Sequence, residues 1–145
     1  MTIRKILTFP DPKLREVAEE VTNFDSNLKE LANDLLETMY EFKGIGLAAI
    51  QIGVNKRIIV ADISDEKQEP HIFVNPKIKI LNENKKGGYD EGCLSIPGFY
   101  EEVIRPTQVE ISFQNLSGEN KKLIPEGLLG VVVQHETCLL YTSDA

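Results

Sequence analysis

Gln134-His135-Glu136-Thr137-Cys138-Leu139 decides how the rest of the chain is organised, because it lies at the end of a segment that can form a central helix. Leu128 to Glu136 is predicted to be a helix packed against strands. A helix with the pattern His-Glu-x-x-His presents two imidazoles four residues apart on one face, where both can bind one metal ion beside the Glu. Here Leu139 stands at the second histidine position. A bare His-Glu pair arises often by chance, so other motifs must decide its meaning.

Two further helices are predicted in the first third of the chain. Asp11-Pro12 is typical of an N-cap followed by proline at the first helical position, and predicts a short helix through about Ala18. From Asn27 to Phe42, apolar residues recur at helical spacing in one broad stripe. Gly44 is expected to end that second helix.

Strands are predicted between the helical segments. Arg57 to Ala61 is a continuous apolar run typical of a buried strand, and 115–120 is typical of a hairpin turn. Alternating apolar residues predict half-buried strands at Ile78 and Ile80, and at Val109, Ile111 and Phe113. The predicted fold class is α+β, with antiparallel β-sheets packed around a central helix that carries the His-Glu motif.

Composition limits the possible functions. The 145 residues, 41% of them hydrophobic, fit one domain with a single core. A net charge of −7 argues against direct binding of nucleic acid, which needs clustered Lys and Arg. The chain has no apolar segment of membrane-spanning length and its N-terminus lacks a signal-peptide pattern, so we expect a cytoplasmic protein without a membrane partner. Two cysteines without a disulfide framework agree with a reducing compartment.

Three blocks occur together in a recognisable order. Gly44-Ile45-Gly46-Leu47-Ala48-Ala49-Ile50-Gln51 and Glu91-Gly92-Cys93-Leu94-Ser95 precede the His-Glu pair, and the chain opens with Ile6 to Arg15. In this order the blocks resemble the peptide deformylase family, and the resemblance extends to Thr137. It implies the same α+β arrangement around the motif-bearing helix.

The resemblance implies a metal site. A cysteine thiolate is a soft ligand suited to ferrous iron or zinc, although a lone Cys is more often a buried structural residue. By resemblance, Cys93 and His135 are metal ligands, and position 139 would supply the third. The expected cofactor is one divalent metal ion, Fe²⁺ in the first place and Zn²⁺ as the alternative.

The resemblance also implies catalytic roles. Glu136 would be the general base that takes a proton from water, and otherwise it would be an ordinary solvated helix carboxylate. The side-chain amide of Gln51 and the backbone N–H of Leu94 would donate hydrogen bonds to the oxygen on which negative charge develops. Without the resemblance, Gln51 would be a polar residue at a loop end.

The implied substrate is a nascent polypeptide that begins with N-formylmethionine and would be met at the ribosome, and the products are formate and a free amino terminus. Methionine needs an apolar pocket. Ile45, with the small Gly46 beside it, and the helix residues Leu128, Val131 and Val132 could line this pocket. The three helix residues could equally be ordinary core.

The resemblance stops after Thr137, so we expect a single domain over residues 1–137 and a tail of foreign appearance over 138–145. Those eight residues resemble the translation of a transposon-end sequencing adapter, and we expect the natural protein to carry His at position 139. With Leu139, the alternative is an inactive relative that only binds formyl-Met peptides, or a structural domain. Cys138 could in principle replace the missing ligand, although a helix that ended soon after it would hold the site poorly.

Overall fold

The fold consists of two long helices and seven strands in the described part of the chain. The computed structural model describes residues 3–7, 11–15, 17–64, 69–81, 86–93, 96–106 and 108–141, and for 14–15, 86–93, 96–106, 139 and 141 it describes only the backbone. The helices are α1 (Ser26–Glu41) and α2 (Gly127–Tyr141), with short 3-10 helices at Pro12–Arg15 and Ala49–Ile52. The strands are β1 (Gly46–Ala48), β2 (Ile58–Ala61), β3 (His71–Ile80), β4 (Lys86–Cys93), β5 (Ile96–Pro106), β6 (Val109–Gln114) and β7 (Asn120–Leu123).

All strand pairs among these elements are antiparallel. Five strands form one sheet in the order β1-β2-β3-β6-β7, and β4 and β5 form a separate hairpin. Helix α2 packs against β1, β2 and β3, and α1 packs against β1 and β2. The predicted α+β class, with antiparallel sheets around a motif-bearing helix, is confirmed.

Strand β2 is buried on both faces because the two helices lie on opposite sides of it. Its residues Ile58 and Val60 belong to the apolar cluster that contains the stripe of α1. Ile59 and Ala61 belong to the cluster that contains the apolar residues of α2. Side chains alternate between faces along a strand, so the continuous apolar run predicted as a buried strand is the run that this layered packing requires.

Helix α1 begins and ends with clear capping interactions. The Asp25 carboxylate accepts a hydrogen bond from the backbone N–H of Leu28 at 3.2 Å, and buried leucines and Met39 form the predicted stripe. At the other end, Gly44 N–H donates to Met39 O at 2.9 Å and Lys43 N–H donates to Tyr40 O at 3.1 Å. This pair of bonds is a Schellman motif.

The end of α1 differs from the prediction in two details. Gly44, expected to end the helix, donates one of the two terminal bonds, but the residue with left-handed backbone is the preceding Lys43, with φ of 58°. Phe42, predicted as part of the apolar stripe, is the C-cap residue and is 48% exposed. Helix α1 therefore ends at Glu41, three residues before Gly44.

The first predicted helix is also shorter than expected. Lys13 N–H donates to the Asp11 carboxylate at 3.0 Å, as an N-cap predicts, but the helix is a 3-10 turn over Pro12–Arg15. Ala18 N–H donates to Leu140 O at 2.8 Å in α2. This tertiary hydrogen bond takes the backbone group that a continuing helix would have used.

Within the described residues, no helix is long and apolar enough to cross a membrane.

Candidate active site

Helix α2 buries Glu136 and partly buries His135. Glu136 is only 5% exposed, so its interpretation as a solvated helix carboxylate is wrong. Oε2 of Glu136 and Nε2 of His135 are both shielded from solvent, and both residues take part in further interactions. The carboxylate of Glu136 is thus in an environment where a charge would be weakly screened.

Strand β1 approaches α2 so closely that position 46 has room only for glycine. A Cβ atom at Gly46 would lie 2.6 Å from Cγ1 of Val132, 3.0 Å from Cγ of Glu136 and 3.1 Å from its Oε1. The first of these distances is shorter than side-chain packing allows. The structure therefore brings together three residues predicted for the site, Gly46, Val132 and Glu136.

Gln51 lies in the 3-10 helix that follows β1 and is buried. Its Oε1 atom accepts a hydrogen bond from the backbone N–H of Ala48 at 2.9 Å. Since a backbone N–H can only donate, this bond identifies the amide oxygen and turns the NH₂ group the other way. The interpretation of Gln51 as an ordinary polar residue at a loop end does not fit this burial, and its NH₂ group is held in a fixed direction.

The predicted pocket residues differ in exposure. Ile45 is 36% exposed and Leu128 is 46% exposed, so both offer apolar surface outside the core. Val131 and Val132 are buried, and Val132 is a member of the α2 core cluster. The two valines therefore serve the core, and Val132 also contacts the β1 strand.

Cys93 is the last residue of β4, at the end of the β4–β5 hairpin where Cys93 is opposite Ile96 and the register is irregular. Its side chain, and all of Leu94, lie outside the described residues. Among the side chains that are described, no three His, Cys, Asp or Glu residues lie together as a metal-binding group. The Cys138 side chain has intermediate exposure.

Sequence reasoning missed a buried carboxylate next to this region. Asp62 follows β2 and is fully buried, and it accepts hydrogen bonds from the Tyr40 hydroxyl at 2.7 Å and from the hydroxyl and N–H of Ser64. Burial would raise the pKa of Asp62, but these donors and the Glu69 N–H outweigh it and hold the pKa below its usual value. An acidic residue directly after an all-apolar strand was the available signal.

A buried Glu that directly follows a His with a shielded Nε2, on a helix packed against a strand glycine, fits the first half of the His-Glu-x-x-His motif of metal-dependent hydrolases. Comparison with sequence models of protein families identifies one such class of hydrolase: residues 3–140 match the model of polypeptide deformylase. The chain belongs to the polypeptide deformylase family and is an enzyme of the deformylase type, a metallohydrolase.

Relatives and solved structures support this membership. The peptide deformylase of Cellvibrio japonicus is 48% identical over 136 residues, which cover 94% of this chain and 80% of the relative. That of Pseudomonas aeruginosa is 49% identical with the same coverage. Crystal structures of peptide deformylases from Legionella pneumophila (42% identity, 96% of this chain, 81% of that chain, TM-score 0.89) and Thermotoga maritima (36%, 97%, 92%, 0.90) share the fold.

Proposed function

We propose that this chain is built to remove the N-formyl group from the N-formylmethionine that begins nascent polypeptides, releasing formate and a free amino terminus. The observation that carries the proposal is the burial of Glu136 beside His135 and against Gly46, in a chain of this family. The corresponding compartment is the cytoplasm, where nascent chains are met at or near the ribosome.

The methionine side chain would lie against exposed apolar surface at the edge of the site. Ile45 and Leu128 provide such surface, and the absence of a side chain at Gly46 lets a peptide backbone approach β1 closely. Among the described strands β1 pairs only with β2, so its other edge is available for an extended peptide. Val131 and Val132 would act indirectly, as core residues that fix the position of α2.

Cys93 and His135 would hold one divalent metal ion, with Fe²⁺ preferred and Zn²⁺ as the alternative, because thiolate and imidazole are ligands that both metals accept. When bound, such an ion acts as a Lewis acid that activates water for attack on a carbonyl group. Buried Nε2 of His135 fits this role. By the resemblance, Cys93 and His135 would supply two of the donors, and Leu139 offers no donor at the third position.

The remaining chemistry belongs to the chain's own groups. Glu136 would accept a proton from the attacking water on a carboxylate oxygen and pass it to the leaving amine. The NH₂ group of Gln51, already directed by the Ala48 hydrogen bond, and the N–H of Leu94 would donate to the former formyl oxygen as it gains negative charge. Donors fixed before the reaction need no reorganisation when the charge appears.

We expect the residue at position 139 to determine whether the chain is active or inactive. With two donors we expect weak metal binding and little turnover, and the chain would at most bind formyl-Met peptides as an inactive member of the family. A histidine at 139 would lie four residues after His135 on the same face of α2, which is helical through Tyr141. We therefore expect Leu139→His to complete the donor set. A Cys93-His135-Cys138 set is the competing way to complete it.

Peptide binding and turnover distinguish these states. Calorimetry with formyl-Met-Ala-Ser and acetyl-Met-Ala-Ser measures binding to the chain as it stands, and formate release from the formyl peptide is measured for the Leu139→His variant loaded anaerobically with Fe²⁺. The proposal predicts formate release by the variant and little by the parent chain. Failure of the metal-loaded variant to release formate, together with no binding of either peptide to the parent, would refute it.

A further inference from the structure

A polar cluster lies where α1, β1 and β2 meet. The Tyr40 hydroxyl, near the end of α1, donates to Oδ2 of Asp62 at 2.7 Å. The other carboxylate oxygen, Oδ1, accepts the N–H of Ser64 at 2.9 Å and its hydroxyl. Glu69 N–H adds a longer bond of 3.3 Å to Oδ2. Asp62 is thus buried and held by donors from the helix end and from the chain that follows β2.

The same residue is joined to the candidate active site through its backbone. Asp62 N–H donates to Ile45 O at 3.0 Å, which extends the β1–β2 ladder by one step beyond the pair of Gly46 and Ala61. Ile45 directly precedes Gly46. A displacement of Asp62 therefore moves the start of β1.

Little displacement is tolerated at this place. A Cβ at Gly46 would already lie 2.6 Å from Val132 and 3.0 Å from Glu136, so β1 and α2 are in direct contact there. Strand β1 has three residues and, among the described strands, one neighbour. The hydrogen bonds between β1 and β2 alone hold so short a strand weakly. The hydrogen bonds of Asp62 add a second attachment, to the end of α1.

We propose that Tyr40 and Asp62 are positioning residues, which hold Ile45 and Gly46 against Glu136 without touching the substrate. The proposal rests on the function proposed above for its catalytic consequence. Loss of the Tyr40 hydroxyl lets β1 shift relative to α2, and Glu136 and the peptide-binding edge then move apart. An error of about 1 Å in such a site costs on the order of a hundredfold in rate, so a smaller shift still gives a measurable loss.

The alternative is that the cluster only stabilises the fold, and α1 supplies a matched control. Asp34 in the same helix is also buried, and the Arg4 guanidinium donates to Oδ2 of Asp34 at 2.9 Å and 2.7 Å from Nε and Nη2. Tyr40→Phe and Arg4→Met each remove a donor from a buried carboxylate. Asp62 is in addition bonded to the residue that precedes β1, through its backbone N–H and Ile45 O, whereas Asp34 lies within α1.

The first measurement is amide hydrogen exchange by NMR in the chain as it stands. Tyr40→Phe is expected to raise the exchange rates of the Asp62 and Ala48 amides by about tenfold relative to Arg4→Met, after both are compared at equal global stability. Ala48 lies at the far end of β1 and donates to Gln51, so it reports on the whole strand. Equal exchange in the two variants would overturn the proposal.

The second measurement is steady-state kinetics in the Leu139→His background. Tyr40→Phe is expected to lower kcat by about tenfold with a smaller change in KM, and Arg4→Met to change neither by more than about twofold. An active background in which both variants behave alike overturns the inference alone. An inactive background counts against the proposed function instead, and the exchange data then decide whether Tyr40 and Asp62 position β1.

Discussion

Glu136 lies directly against Gly46, so that a Cβ atom at position 46 would be 3.0 Å from Cγ and 3.1 Å from Oε1 of the carboxylate. The contact joins two motifs that are far apart in the sequence, the glycine block and the His-Glu pair. It explains why a glycine is needed in β1 although its backbone is that of an ordinary strand. The position of Glu136, the proposed general base, therefore depends partly on the lack of a side chain at position 46.

Gly46→Ala tests this contact. The new methyl group would collide with Val132 Cγ1 and with Glu136, so we expect stability to fall by about 1–3 kcal/mol, as for overpacking elsewhere. In the Leu139→His background kcat/KM should fall by roughly a hundredfold, because the carboxylate must move. Urea denaturation and formate release measure the two effects.

The double variant Gly46→Ala with Val132→Ala separates packing from catalysis. It relieves the 2.6 Å collision but leaves Glu136 displaced, so the fold should regain stability relative to Gly46→Ala alone while activity stays low. Full recovery of activity in the double variant would show that Val132, and not Glu136, is the residue that Gly46 accommodates.

Gln51→Ala should affect both stability and rate. It leaves the buried N–H of Ala48 without its 2.9 Å acceptor, which costs about 1–3 kcal/mol, and it removes a donor for the developing charge, which costs roughly 10²–10³ in kcat. Gln134→Ala is the control: this buried glutamine on α2 donates to Gly130 O at 3.0 Å. It should lose stability with a much smaller change in kcat, and similar kcat losses for both would argue against a donor role for Gln51.

Lys43→Gly should stabilise the protein. Lys43 has φ of 58° at the end of α1, a conformation that costs a residue with a side chain roughly 1 kcal/mol and costs glycine very little. We expect a gain of about 0.5–1 kcal/mol in the free energy of unfolding. Asn75→Gly is the contrasting variant, because Asn75 also has positive φ but its side chain bonds Val21 and Gln114, and its loss should destabilise. An unchanged or lower stability of Lys43→Gly would contradict the assignment of strain to that residue.

Tyr40→Phe should have a pH-dependent effect on stability. The pKa of Asp62 lies below its usual value in the folded protein, so its hydrogen bonds stabilise the fold fully above the unfolded pKa near 3.8 and lose this effect as pH falls through the lower folded value. At pH 7 the lost hydroxyl should cost about 1–2 kcal/mol, and the difference from the parent should shrink below pH 3.8. Urea denaturation at both pH values gives the comparison, and a difference that grew in acid would have the wrong sign.

Much of the fold could be predicted from local patterns, and the limits are physical. The spacing of the apolar residues in α1 and in β2 is enough to predict that they are buried, and the structure agrees with both predictions. The β4–β5 hairpin was not predicted, because Gly87, Gly88 and Pro97 are poor strand formers and only pairing with a partner makes them extended. Beyond the 3-10 turn at Pro12, the N–H of Ala18 is bonded to Leu140 O, a tertiary contact that no local pattern contains.

The candidate site divides in the same way. Motifs pointed to Gln51, His135 and Glu136, and the structure shows how each is buried or directed. The roles of Cys93 and Leu94, and the expected boundary after Thr137, remain predictions. The pairing of Tyr40 and Asp62 could not be predicted from the sequence. Only the fold brings the Tyr40 hydroxyl, on a helix, to within 2.7 Å of Oδ2 of Asp62, which follows a strand.

The most direct test of the account compares three chains loaded anaerobically with Fe²⁺: the parent, Leu139→His, and Leu139→His with Glu136→Gln. Iron content per chain and formate release from formyl-Met-Ala-Ser are measured for each. We predict about one iron with turnover for Leu139→His, about one iron with turnover lowered by roughly 10²–10⁴ when Glu136 is replaced, and weak iron binding with little turnover for the parent. Full turnover by the parent, or undiminished turnover without Glu136, would contradict the proposed site.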